Sequence, residues 1–79
     1  MSDEFEIIYQ SVLDDYSEEI RLSQAGQGLS KERILFRLTG ECLLRSLRWD
    51  VKIDVKNTRE RFKTELGWEN EKIGGMSLR

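Results

Sequence analysis

Phe5, Ile8, Val12, Tyr16 and Ile20 recur at spacings of three and four, and Tyr9 and Leu13 widen the stripe. That period belongs to an amphipathic helix, and it predicts one over residues 3 to about 24. Ser2 or Asp3 suits its first cap, and Glu4 and Glu6 suit the positive end of its dipole. Glu6, Gln10, Asp14, Ser17, Glu18 and Arg21 form a polar opposite face. The stretch QAGQGLS, residues 24 to 30, is a break: Gly26 ends a helix in the left-handed conformation and Gly28 loosens the link. Leu29 then precedes Ser30, with Ile34 four places on, which is the pattern of a capping serine with a hydrophobic staple. A second helix therefore starts at Lys31, and a connection this short returns it antiparallel as a helical hairpin.

The second helix carries two apolar stripes. One is Phe36, Gly40, Leu43, Leu47, Val51, Val55, Thr58, Phe62 and Leu66; the other is Leu35, Leu38, Cys42, Ser46, Trp49 and Ile53. At ~100° per residue the two lie roughly 140° apart. The first helix covers only one of them, so the other needs a second copy, another protein or a folded-back C-terminus.

The segment RWDVKIDVK, residues 48 to 56, alternates apolar and charged positions, as a half-buried strand does. As a helix it sets Arg48 with Lys52, Asp50 with Asp54 and Lys52 with Lys56, like pairs that each cost ~0.2–0.5 kcal/mol. As a strand it has no mate in the chain and would need one from another molecule. The like-charge cost is smaller than that of an unmatched backbone, so the helical reading is taken, over about 31–66. Asn57 and Thr58 mark a kink, and NTRE at 57–60 resembles a fresh capping box. The expected fold is all-α: a hairpin domain over 1–66, completed by self-association or a partner. An irregular tail follows over 67–79, in which Trp68 and Ile73 are the residues able to fold back.

Composition narrows the function. At 79 residues the chain makes one small domain. Cys42 is the one cysteine and there is no histidine, which excludes a disulfide framework, the usual zinc sites and His-based catalysis. The start MSDEFE is acidic and no apolar run reaches membrane-spanning length, so a cytoplasmic location and no membrane span are expected. Net charge is −2, unevenly spread: residues 1–22 hold seven acids and one base, while residues 31–79 hold twelve bases and eight acids. Oppositely charged helices lying side by side are the expected source of this balance, and a basic surface for an acidic partner is the alternative. Acid pairs such as Asp14–Asp15 point apart on a helix and suit a solvated face. GQG and GG lack the context of a phosphate loop. No catalytic residue, cofactor or metal site is expected. Lys56, Arg59 and Lys63, in KNTRERFK, fall near one line of a helix and are the candidate nucleic-acid contacts, diluted by Glu60 and Glu65.

The segment FRLTGECL, residues 36–43, resembles the third homology motif of the Bcl family of apoptosis regulators. Phe36, Thr39, Gly40, Glu41 and Leu43 stand at its large apolar, apolar, small, acidic and apolar positions. The opening MSDEFEIIYQSVLDDY and the AGQGLSK junction are similar to the start of some members. The resemblance covers about 45 residues and implies a helix that lies in a partner's apolar groove with its acid facing an arginine. Thr39 and Glu41 depart from the family's usual residues, Glu32 stands where its first apolar anchor belongs, and its asparagine–tryptophan–glycine–arginine signature is absent.

The expected function is a small non-enzymatic interaction module that oligomerises or docks a protein partner through the second helix. Leu35, Leu38, Cys42, Trp49 and Ile53 are the expected partner contacts, with Trp49 as anchor. The alternative is a small nucleic-acid-associated regulator.

Overall fold

The computed structural model describes residues 3–69. Among them the chain is helical throughout, without a strand: α1 (Asp3–Asp15), α2 (Ser17–Gln24), α3 (Lys31–Arg48) and α4 (Val55–Glu65). Helices α1, α2 and α4 all pack on α3. The first expected helix is thus two, divided at Tyr16, whose backbone leaves helical geometry (φ −109°, ψ 17°) without a side-chain cap. Hydrogen bonds run across the division, from Tyr16 N–H to the Val12 carbonyl at 3.0 Å and from Ile20 N–H to the Tyr16 carbonyl at 2.9 Å. The division is a bend in a nearly continuous rod.

The junction before α3 follows the sequence pattern. Gly26 takes a left-handed φ of 81°. Its N–H donates to the Ser23 carbonyl, and Gln27 N–H donates to the Leu22 carbonyl at 2.8 Å, so two end carbonyls of α2 are satisfied. The Ser30 hydroxyl then accepts from Arg33 N–H at 3.2 Å, capping α3. Ile34 is buried, and Leu29 packs against the same core.

The segment 48–56 is neither a continuous helix nor an intermolecular strand. Helix α3 ends at Arg48 and α4 begins at Val55. The stop is the same left-handed cap, with Asp50 in the glycine position at φ 58°. Asp50 N–H donates to the Leu47 carbonyl, and Val51 N–H donates to the Ser46 carbonyl at 2.8 Å. Residues 51–54 are irregular, with Val51 and Ile53 half-buried against the core while Lys52 and Asp54 face water. The alternation therefore marks a connector with one side laid on the core. It needs no strand partner because the core, rather than a sheet, takes its apolar side. Asp54 caps α4 by accepting from Asn57 N–H at 3.1 Å. Asn57 is accordingly a first-turn residue, and the kink expected there is a full break some residues earlier.

That break lets α4 turn back over the bundle. The buried set joins Ile8, Tyr9 and Val12 of α1, Ile20 of α2, Ile34, Leu35, Leu38 and Cys42 of α3, Phe62 of α4, and Trp68. Trp68 sits just after the third left-handed cap, at Gly67, and is only 3% exposed, so the core reaches past the expected boundary at residue 66. Ile73 lies outside the described residues. Helices α1 and α4 meet through long side chains. Tyr9 stacks on Phe62 with ring centroids 4.5 Å apart. The Arg61 guanidinium lies 3.9 Å from the Tyr9 ring centroid and donates to both Glu6 carboxylate oxygens at 2.6 and 2.9 Å. With the Arg45–Asp15 pair at 2.9 Å, this joins the acidic N-terminal half to the basic C-terminal half.

Two predictions follow from these features. Asp50 holds a conformation that costs a non-glycine residue about 1 kcal/mol, and it sets a negative charge at the negative end of α3. Asp50→Gly should raise stability by about 1 kcal/mol in urea unfolding. The second concerns alkaline pH. Burial pushes the Tyr9 hydroxyl from its ordinary 10.0 up to about 12. Burial likewise raises the Cys42 thiol from 9.0 to about 11. Folding thus tightens the hold on both protons, so stability is full below about pH 9 and is lost as pH rises through about 9 to 12. The Tyr9 hydroxyl finds no hydrogen-bond partner among the described residues. Tyr9→Phe should therefore cost nothing near neutrality and should shrink the loss above about pH 10 in the same assay.

Candidate docking face on α3

Helix α3 runs for 18 residues with apolar side chains around much of its circumference. Its neighbours bury the arc holding Ile34, Leu35, Leu38, Thr39, Cys42 and Ser46. Phe36, Leu43, Leu44 and Leu47 lie outside that arc, exposed by 79, 38, 56 and 69%. At ~100° per residue, Phe36, Gly40, Leu43 and Leu47 fall within about 60° of one another, with Leu44 beside them. This is one contiguous apolar face on the outside of the molecule.

Within α3 the two stripes are therefore assigned the other way round from the expected contacts, whereas Thr58 and Phe62, which continue the Phe36 stripe in the sequence, are buried on α4. Leu35, Leu38 and Cys42 are fully buried in the chain's own core, so they are not surface contacts. Between them Thr39 and Ser46 are small enough to let neighbouring helices close over this arc, at the cost of burying both hydroxyls without a partner. Trp49 is 55% exposed just past the end of α3. It lines a surface hollow of about 400 Å3 with Ile7, Ile8, Ser11, Glu41, Arg45 and Arg48. Ile53 is half-buried in the connector. It borders a second hollow of about 360 Å3 together with Leu43, Ser46, Leu47, Asp50, Val51 and Lys52. The last turns of the exposed stripe thus stand as a ridge beside these recesses.

Gly40 lies mid-stripe. A Cβ built there would meet nothing within 4 Å, so none of the described residues uses the missing side chain. Glycine inside a helix costs about 1 kcal/mol relative to alanine, and that cost has no return among the described residues.

The charged rim is lopsided. Arg33, Arg37 and Arg48 are exposed, and none makes an ion pair among the described residues. Glu41, within reach of Arg37 by helical spacing, is instead held by Arg45 at 3.2 Å. Arg45 also donates to Ser11 at 2.8 Å. Burial pulls its pKa down, but its hydrogen bonds and ion pairs with Asp15 and Glu41 hold it above the ordinary value. Two residues of the Bcl-like segment are thus tied down inside the molecule: Thr39 is buried and Glu41 is half-buried in an ion pair, while Phe36, Gly40 and Leu43 share the outer face. On α4, Lys56 is exposed, Arg59 and Lys63 are half-buried, and the three lie on one side without ion pairs among the described residues.

No protein-family model, curated protein or solved structure matches the chain. Among the described residues, no helix is long and apolar enough to cross a membrane.

The outer stripe was readable as apolar in the sequence, but its partner stripe carried Trp49 and drew the assignment of contacts. Small polar Thr39 and Ser46 lie buried beside Leu35, Leu38 and Cys42, whereas Arg33, Arg37 and Arg48 border the exposed stripe. A paired substitution tests this directly. Leu38→Ala should cost about 2–5 kcal/mol in urea unfolding, as a cavity in the core does. Leu47→Ala should stay within about 0.5 kcal/mol of wild type.

Proposed function

We propose that the protein is a small non-enzymatic interaction module whose α3 outer face receives a helix of another protein. The observation that carries this reading is the exposed stripe of Phe36, Leu43, Leu44 and Leu47 on a helix whose opposite side is fully packed. An unshielded apolar face of this extent marks an interaction site, and the regular spacing suits a helical occupant, read by anchors three and four residues apart. Gly40 adds to it, because a flat spot between Phe36 and Leu44 lets a second helix come close. Trp49 and Ile7, both exposed at the edge of the neighbouring hollow, extend the contact at one end. The Bcl-like resemblance agrees with helix-mediated docking to the extent that Phe36, Gly40 and Leu43 lie on this face. The basic side of α4 supports a nucleic-acid reading less well, since two of its three cations are half-buried.

Helical peptides selected from a displayed library for binding to the folded chain should lose at least tenfold in affinity against Leu47→Asp and keep it against Lys63→Glu. Tryptophan emission, to which the exposed Trp49 contributes, supplies the readout. Selected binders that ignore Leu47→Asp but lose affinity for Lys63→Glu would move the site to α4 and overturn the proposal.

A further inference from the structure

The exposed stripe has two unlike edges. Along one of them Arg33, Arg37, Leu44 and Arg48 fall within about 60° of each other at ~100° per residue. The three guanidiniums are exposed and lack an acid partner among the described residues. The stability of α3 does not explain all of them. Arg48, in the last turn, suits the negative end of the helix dipole, but Arg33 stands in the first turn, where a cation is unfavourable. The one acid nearest the row, Glu41, is engaged by Arg45.

We infer that the occupant of this face is an amphipathic helix carrying acidic side chains along one edge of its apolar stripe, placed to meet Arg33, Arg37 and Arg48. The inference rests on the docking reading above and adds the partner's charge pattern. Arginine suits such a role because its planar fork binds a carboxylate through two parallel hydrogen bonds. A second copy of the chain is the poorer occupant. A two-fold antiparallel pairing of the stripes keeps both arginine rows on the same side of the interface, cation beside cation. Gly40 separates a helix from a lipid surface, since a flat spot admits a backbone whereas acyl chains gain nothing from it.

The experiment uses the full chain and defined probes. Two synthetic helical peptides share one leucine stripe; one carries glutamates along a single edge, the other lysines. Vesicles of phosphatidylcholine containing phosphatidylserine are the third probe, and sedimentation velocity of the protein alone reports self-association. Binding is read from tryptophan emission in low and high salt. The acid-edged peptide should bind at least tenfold more tightly than the lysine-edged one, and the gap should narrow as salt screens it. The triple variant Arg33→Glu, Arg37→Glu, Arg48→Glu should invert the preference while circular dichroism stays unchanged. Gly40→Ala should melt at a higher temperature yet bind the acid-edged peptide several-fold more weakly.

Equal binding of both peptides, lost in Leu47→Asp, overturns the acidic-edge inference and leaves the docking face standing. Preference for the vesicles, or a stable dimer that Leu47→Asp dissociates, overturns the inference by naming a different occupant. Failure of every probe to bind, with a monomer in sedimentation, overturns the docking reading together with the inference.

Discussion

A helix flanked by neighbours on one side hides only part of its circumference, and α3 is apolar over more than that part. The other described helices are arranged around this mismatch. The bent rod of α1 and α2 and the returning α4 both pack on α3, and between them they bury Ile34, Leu35, Leu38 and Cys42 completely. Ile8, Tyr9, Val12, Ile20 and Phe62 of those helices all join the same core. No element among the described residues is left to cover Phe36, Leu44 and Leu47. Burial of a large side chain is worth roughly 1.5–3 kcal/mol, so leaving several in water forgoes a stabilisation that a small domain would otherwise use.

The same pattern of local cost recurs at particular residues. Gly40 weakens α3 without filling any need among the described residues, and Asp50 holds a left-handed backbone that glycine takes at the two other caps. Arg33 opposes the dipole of its own helix. Each of these lies on or beside the exposed face, whereas the caps at Ser30 and Asp54 follow local preference. Local conflicts that gather on one surface are what a binding face produces, because a partner rather than the fold rewards them. Away from that face, Arg61 shows the opposite economy. One side chain covers Tyr9, pairs with Glu6 and joins two helices whose backbones do not touch.

Much of the fold was legible in the residues. The helical period of the first stripe, the glycine stop at Gly26 and the Ser30 cap appear where their chemistry puts them. Two features were not. The end of α3 hides behind Asp50, because aspartate in a left-handed cap carries no strong sequence mark, and the following alternation imitates both a strand and a doubly buried helix. The true cap of α4, Asp54, was masked by the better-looking box at Asn57 and Glu60. The existence of an uncovered stripe on the long helix followed from periodicity alone. Which stripe it was did not, since Leu35, Leu38 and Cys42 are no more apolar than Phe36, Leu43 and Leu47. That choice depends on the break after Arg48, which sends α4 back over one side of α3 and leaves the other open.

The most direct measurement is residue-resolved footprinting of the folded chain in dilute buffer with a small reactive carbene. The account predicts strong labelling at Phe36, Leu44 and Leu47 and little at Leu35, Leu38 and Phe62. Strong protection of Phe36 and Leu47 in a monomer, with labelling at Leu35 and Leu38 instead, would contradict it.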